Sequence, residues 1–477
     1  MLLKRFYDDR LAQASFLVGC QATGGALVLD ANRDAGQYIT AAKAEGLRIT
    51  HVTETHIHAD FVSGSRELAS RTGAELLLSA EGGADWQYGF AREADATLLH
   101  DGDSFMVGNL RFDVMHTPGH TPEHLTFIVT DTPATLRPMG AFTGDFIFVG
   151  DVGRPDLLER AAHLEGTMDA SARQLFRSLR RFADQPDYLQ LWPGHGAGSA
   201  CGKSLGAVPQ TTLGYERVVN WAFGIADEDE FVRAVLAGQP EPPAYFAEMK
   251  RINRDGPAIL GAWPDPPTLD PASLADTLAS GGVVVDLRPA SAFAEGHVPG
   301  TLNIPLNRSF TNWAGSLLPY DADIYLIVPD GPGQSADAIR ALAVIGLDQV
   351  RGVFPESAVL AWGRDGTLQQ VPQVDAAALA ARNGEVTVVD VRSQSEWDAG
   401  HIPGAVHLPL ATLASHLDEL PRDTPLVLQC QGGGRSSIAS ALLQANGFAN
   451  VSNLRGGIRD WRGAGLPVDR DPEAVKA

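Results

Sequence analysis

An α/β protein of about three domains is expected from three observations. The chain has 477 residues, and single domains run to roughly 100 to 200 residues. Short apolar strands, such as Ala74–Leu78 and Phe112–Met115, alternate with Gly-rich and His-rich turns through the first half. The second half repeats itself: VVVDLRPASAFAEGHVPGTLNIPL, from Val283 to Leu306, returns as TVVDVRSQSEWDAGHIPGAVHLPL, from Thr387 to Leu410.

Composition narrows the class of function. Hydrophobic residues make up 44% and charged residues 20%, which fits an ordered globular chain. Lys plus Arg total 37 against 58 Asp plus Glu, a formal charge of -21 that repels phosphate backbones and anionic lipid. Nucleic acid and membrane are therefore not expected partners, and a small anionic substrate needs local Arg, Lys, metal or backbone N–H groups. Three cysteines are too few for a disulfide framework and favour a reducing compartment, so a cytoplasmic location is expected. Asp8 and Asp9 interrupt the start before any long apolar run, which argues against a secretory signal.

The first segment, residues 1–262, concentrates metal-ligating side chains in turns that follow predicted strands. ETHIHADFVSG places His56, His58 and Asp60 on alternate positions; GHTPEH adds His120, FTGD adds Asp145 and LWPGHG adds His195. Four such turns, each at a strand end, point to one metal site at a sheet edge. GDFIFVGDVGRPD sets Arg154 shortly after Asp145, and GHGAGSACGKSLG sets Cys201 and Lys203 among small residues after His195. A loop of that composition can approach a substrate closely, and a nearby ammonium would favour a thiolate at Cys201. Cys20, at the end of FLVGC, reads as a thiol buried at a strand end.

A linker follows. GAWPDPPTLDPAS, Gly261 to Ser273, carries four prolines and should be extended and poor in helix. Beyond it the repeat predicts two domains, 263–366 and 367–477. A period of about 104 residues marks domain duplication, since solenoid repeats are much shorter. Each copy reads as strand, Asp-x-Arg, short helix, Gly-His-x-Pro-Gly and strand, the pattern of a small parallel-sheet domain. Asp286 and Arg288, like Asp390 and Arg392, should brace strand to loop, and His297 and His401 should be architectural. Later in each copy DADIYLIVPDGPGQS is set against DTPLVLQCQGGGRSS, which puts Pro329 and Gln334 where the last copy has Cys430 and Arg435.

Only the last copy then carries a nucleophile. Cys430 lies between the apolar strand PLVLQ and the helix-like IASALLQA, where backbone N–H groups and the helix dipole favour a thiolate. Gln431, Gly432, Gly433 and Gly434 complete the loop, the glycines letting it curl into a nest of donors, and Arg435 adds a fixed charge at the rim. The middle copy is expected to bind or dock without covalent transfer.

Residues 1–262 resemble the metallo-β-lactamase superfamily, specifically its persulfide dioxygenase branch, and the two later segments resemble rhodanese domains. The resemblance implies an αββα sandwich followed by two rhodanese-like α/β domains. It implies one Fe(II) per chain on His56, His120 and Asp145, with His58, Asp60 and His195 around them orienting ligands, holding water or tuning the ion. Arg154, Cys201 and Lys203 are candidate substrate contacts, with a pair to a nearby Asp the alternative for Arg154 and a structural thiol the alternative for Cys201. Two imidazoles and one carboxylate make chemical sense for that role, because such a triad leaves positions open for a sulfur anion and dioxygen. The wider superfamily's His-x-His-x-Asp-His motif ends here in Phe61, which cannot ligate; only Asp60 and His195 remain for a second ion.

The implied activity is oxidation of glutathione persulfide, or a similar thiol persulfide, by dioxygen to sulfite. Sulfane-sulfur transfer at Cys430 and thiosulfate formation would be coupled to it. Two alternatives stay open: a dinuclear zinc thioester or lactone hydrolase, and a non-enzymatic sulfur carrier or sensor. A homo-oligomer is compatible with the sequence.

Overall fold

A computed structural model describes residues 1–157, 159, 166–382 and 384–470. It divides into two units, Met1–Ala262 with Ala343–Gly346, and Trp263–Leu342 with Leu347–Ala477.

In the first unit, apolar strands pair into two six-stranded sheets. One runs in chain order through β1 (Leu2–Asp8), β2 (Gln13–Cys20), β3 (Gly25–Leu29), β4 (Arg48–Thr53), β5 (Glu75–Ser79) and β6 (Thr97–Leu99). The other contains β7 (Ser104–Val107), β8 (Leu110–His116), β9 (Leu125–Asp131), β10 (Gly140–Gly144), β11 (Gln190–Pro193) and β12 (Thr211–Thr212). Inward residues of both sheets, among them Phe16, Leu27, Leu77, Phe112, Phe127 and Trp192, share one core between them. Helices cover the outer faces. Tyr38 and Leu68, from Ala35–Ala44 and Ser65–Thr72, pack on the first sheet, and Leu175 and Phe231, from Met168–Phe182 and Glu228–Leu236, on the second. This is the expected αββα sandwich.

That layering collects the metal-type residues at one edge. His56 follows β4, His120 lies between β8 and β9, Asp145 follows β10 and His195 follows β11. The two sheets are stitched together there, where Ala14 N–H donates to the Gly194 carbonyl at 2.7 Å.

The second unit holds two parallel sheets. The middle copy orders its strands β14 (Leu302–Asn303), β13 (Val283–Asp286), β15 (Ile324–Val328), β16 (Val350–Pro355). The last copy orders them β17 (Gln373–Val374), β21 (Val451–Leu454), β20 (Leu426–Gln429), β18 (Thr387–Asp390), β19 (Val406–His407). The Asp-x-Arg braces form in both: Arg288 Nη2 meets Asp286 Oδ2 at 2.7 Å and Arg392 Nη2 meets Asp390 Oδ2 at 2.6 Å. His297 and His401 stack flat on Phe293 and Trp397, with centroids 3.7 and 3.6 Å apart. The proline-rich segment departs from the extended expectation at its end. Asp270 accepts the Ala272 N–H, and Pro271–Ser273 closes into a 3₁₀ turn, because proline at the first helical position has no N–H to lose.

Candidate metal centre and cysteine loop

His56, His120 and Asp145 offer ligand atoms that all lie within 4.8 Å of one another, and all three residues are buried. His120 Nε2 stands 3.4 Å and His56 Nε2 3.9 Å from Asp145 Oδ2. The far side of each ring fixes which nitrogen faces inward. His120 Nδ1 is 3.1 Å from the Arg154 carbonyl, which can only accept, so Nδ1 carries the proton and Nε2 keeps its lone pair. For His56 the partner is Thr55 Oγ1 at 3.0 Å; the Thr55 hydroxyl donates to Asp30, 3.1 Å away, and so accepts from His56 Nδ1. Burial holds both imidazoles below their ordinary pKa, in the neutral state that a metal requires.

The carboxylates show what these rings wait for. Both oxygens of Asp145 and both of Asp60 are buried without a hydrogen-bond partner, an arrangement costly for an acceptor unless a cation completes it. The donor set therefore fits a metal ion.

His58 is built differently. Its Nε2 donates to Asp30 Oδ1 at 3.1 Å, and its ring lies against Phe61, centroids 4.4 Å apart. Burial opposes its charge, but the Asp30 hydrogen bond and the Asp30, Glu54 and Asp60 carboxylates outweigh that and raise its pKa to about 9. Phe61, at the sixth position of the motif, is fully buried and offers no ligand atom.

Beside the triad lies a second group that sequence reasoning left one donor short. Asp60, His195 and Cys201 also bring their ligand atoms within 4.8 Å of one another. His195 Nε2 is 3.3 Å from Asp60 Oδ2 and 3.5 Å from Asp145 Oδ1, its Nδ1 anchored on the Ala12 carbonyl at 3.1 Å.

Two candidate substrate contacts, Arg154 and Lys203, are corrected. Arg154 is completely buried: Nε and Nη2 grip the two Asp156 oxygens at 2.9 and 2.7 Å, and Nη1 reaches the Ala200 carbonyl. Its guanidinium braces loops, and only its carbonyl touches the centre. Lys203 Nζ donates to the carbonyls of Ala234 and Ala237 and lies over Trp221, satisfying the end of helix Glu228–Leu236. That leaves Cys201 without the expected ammonium. Burial, then the Asp145 and Asp60 carboxylates, push its thiol well up, opposite to an activated thiolate. Cys20 is buried at the end of β2, as expected, and accepts the Asn109 N–H at 3.3 Å.

Several supporting residues escaped the sequence reading. His124, the second histidine of GHTPEH, accepts the Asp145 N–H on Nε2 at 3.1 Å and stacks on His56. Glu123 in the same motif accepts the Ile57 N–H at 2.7 Å, and burial raises its carboxyl to about 7. Asn253 clamps the His-x-His-x-Asp loop through the His58 and Phe61 carbonyls. GHTPEH displayed its own signal; Asp30 and Asn253 are too distant in sequence to carry one.

In the last copy, Cys430 follows β20 directly and Gly434–Ala445 begins the next helix. The Gly433 N–H donates to Cys430 Sγ at 3.1 Å and Ser436 Oγ approaches at 3.4 Å. Gly433 makes the turn at φ +97°, a conformation that disfavours side chains. Arg435 is held rather than free: Nη1 and Nη2 bond the two Glu396 oxygens at 2.6 and 2.7 Å, and Glu396 closes a capping box with Ser393.

The middle copy shows what was lost, with a shift from the sequence alignment. Leu287 and Val391 donate equivalent bonds to Ile327 and Gln429, and Asp337 and Ser437 to Gly333 and Gly433. Val328 thus stands at the Cys430 position and Ser335 at that of Arg435, in place of Pro329 and Gln334, because the middle loop is longer. Ala292 replaces Glu396 in the preceding helix.

No helix among the described residues is long and apolar enough to cross a membrane. The metallo-beta-lactamase superfamily model matches residues 8–195, and the rhodanese-like domain model matches residues 270–363 and 374–464. A crystal structure of a metallo-beta-lactamase from Staphylococcus aureus is 44% identical with a TM-score of 0.68, covering 74% of this chain and 99% of that one. Hydroxyacylglutathione hydrolase from Methylobacterium nodulans is 31% identical over 242 residues, 46% of this chain and 85% of that protein. A sulfurtransferase from Allochromatium vinosum is 38% identical over 101 residues, 20% of this chain and 94% of that protein. The buried His/Asp constellation on an αββα sandwich and the duplicated parallel sheets thus have one common reading: this chain belongs to the metallo-beta-lactamase superfamily and carries two rhodanese-like domains behind that fold.

Proposed function

We propose that the chain oxidises a low-molecular-weight thiol persulfide, such as glutathione persulfide, to sulfite with one Fe(II), and that Cys430 carries sulfane sulfur in a linked transfer. We assign residues 1–262 to oxidation, 263–366 to a copy without the nucleophile and 367–477 to transfer. The observation that carries the reading is the triad of His56, His120 and Asp145, with His58 turned to Asp30 and Phe61 beside it. When bound, Fe(II) would supply open positions for a sulfur anion and dioxygen on one ion.

The chain's own residues do the rest. Thr55 with Asp30, and the Arg154 carbonyl, hold the two imidazoles in the ligating tautomer. His124 fixes the Asp145 backbone, and the buried surroundings keep bulk water away. At the other site, Gly433 N–H and Ser436 Oγ hold negative charge on the Cys430 sulfur, as a leaving thiolate requires. The sulfurtransferase relative supports that half of the reading.

Oxygen uptake and sulfite formation, measured with glutathione persulfide on iron-loaded protein, test it. Uptake well above that of metal-free protein is expected; none at full iron occupancy would defeat the oxidation. A second reading has its own observation. Asp60, His195 and Cys201 could hold another ion, and hydroxyacylglutathione hydrolases are among the relatives, so a two-metal thioester hydrolase would release thiol from an acylated glutathione without oxygen.

A further inference from the structure

We infer that the middle rhodanese-like copy, though without a cysteine, forms the acceptor-binding wall for Cys430 and holds the organic body of a small, amino-bearing thiol. This rests on reading Cys430 as a sulfur carrier and goes beyond it by naming where the acceptor sits. A cavity of about 540 Å³ in the second unit is lined from both copies. The middle copy contributes Asn307, Trp313, Asp330 and Gln334, from segments that follow the C-terminal ends of β14 and β15, where open α/β sheets receive ligands. The last copy contributes Arg435 and Ile438, from the helix that opens on the Cys430 loop. Gly434 joins the two places, since it lines the cavity and directly follows Gly433, whose N–H donates to Cys430 Sγ.

The chemistry of the walls selects the occupant. Small-molecule sites span roughly 300 to 1,000 Å³, so this cavity is sized for an organic molecule and is far larger than sulfite or cyanide needs. Arg435 is its only cationic residue among the described residues, and both terminal nitrogens are taken by Glu396. An inorganic dianion therefore meets a guanidinium already paired with a carboxylate, and it faces the Asp330 carboxylate. Asp330 takes no side-chain hydrogen bond among the described residues and can receive an ammonium group. The Asn307 amide NH₂ and the Gln334 amide suit peptide groups, and Trp313 and Ile438 offer apolar contact. A peptide thiol with a free amine satisfies this set.

The transfer balances without any other reactant. The acceptor thiolate attacks the outer sulfur of the Cys430 persulfide, forming a new S–S bond. The bond from that sulfur to Cys430 Sγ breaks, Cys430 leaves as thiolate towards the Gly433 N–H and Ser436 hydroxyl, and the transferred sulfur keeps its proton in the acceptor persulfide.

The full chain, loaded at Cys430 from inorganic polysulfide, is discharged to glutathione and, separately, to cyanide, which needs no organic pocket. Asp330→Asn and Trp313→Ala should each lower the glutathione-to-cyanide ratio of rate constants by about tenfold, the loss of one good polar or apolar contact. Asp330→Asn, on an exposed loop, keeps the test valid should Trp313→Ala unfold. An unchanged ratio in the Asp330 variant would overturn the cavity's role, as would wild-type discharge to cyanide alone. A wild-type chain that discharges to neither acceptor would remove the sulfur-carrier reading itself, and this inference with it.

Discussion

The metal centre and the cysteine loop are chemical opposites on one chain. Around Asp145 the fold gathers acceptors: four buried carboxylate oxygens of Asp60 and Asp145 without donors, and inward Nε2 lone pairs on His56, His120 and His195. Around Cys430 it gathers donors, the Gly433 N–H and the Ser436 hydroxyl, with Arg435 beyond them. A pocket of orphaned acceptors is completed by a cation, and a ring of donors by an anionic sulfur. Under the proposed function, the difference lets a chain with a charge of -21 take up sulfur anions, since each site sets its own local polarity.

The sharpest break of this contrast is a double dissociation. His120→Ala or Asp145→Ala should strip the metal and lower persulfide-dependent oxygen uptake by about a thousandfold, while sulfur discharge from Cys430 continues. Cys430→Ser should do the reverse, and metal analysis with both assays on the same preparations checks it. Loss of both activities in either variant would mean that the sites are not separable.

Next in size is a difference in pH response. Burial raises Glu123 to about 7, so in metal-free protein the folded state binds more protons than the unfolded one above about 4.3. Stability should therefore fall as pH rises through that window to about 7. Glu123→Gln should flatten the fall, recovering about 3 kcal/mol near pH 8, as read from denaturant unfolding of metal-free protein.

Thr55→Val cuts the relay from Asp30 to His56 without touching a ligand. Metal affinity, measured by competition with a chelator, should drop by about 10- to 100-fold. An unchanged affinity would show that His56 needs no fixed tautomer.

The smallest effect lies at the other site and has the opposite sign. Burial opposes the charge on Glu396, but the Arg435 bond dominates and holds it at about 2. Its contribution is present above the unfolded carboxylate value, about 4.3, and is lost as pH falls towards 2. Because the pair is partly exposed, Glu396→Gln should remove only about 1 kcal/mol of that acid-sensitive stability, measured from unfolding at pH 5 and pH 3.

Much of this was legible in the sequence, for physical reasons that vary by residue. The repeated Asp-x-Arg and Gly-His-x-Pro-Gly segments declared two parallel-sheet domains, because braces at fixed spacing report their own contacts. His56, His120, Asp145 and His195 were visible because each ends a strand in a turn. Arg154 had two open readings, substrate contact or an Asp pair, and the pair forms with Asp156 two residues on, the same spacing as the braces in reverse. The Ser393-x-x-Glu396 capping pattern went unread, and the hold of Glu396 on Arg435 spans two separate elements. Cys201 beside Asp60 and His195, and Asp30 beneath Thr55 and His58, depend on chain reversals that no local pattern encodes.

The central claim is that one ion suffices, and an anomalous difference map of the iron-reconstituted protein tests it most directly. One iron peak bridging His56, His120 and Asp145 is the predicted result. Two peaks of equal height, the second on Asp60, His195 and Cys201, would contradict it.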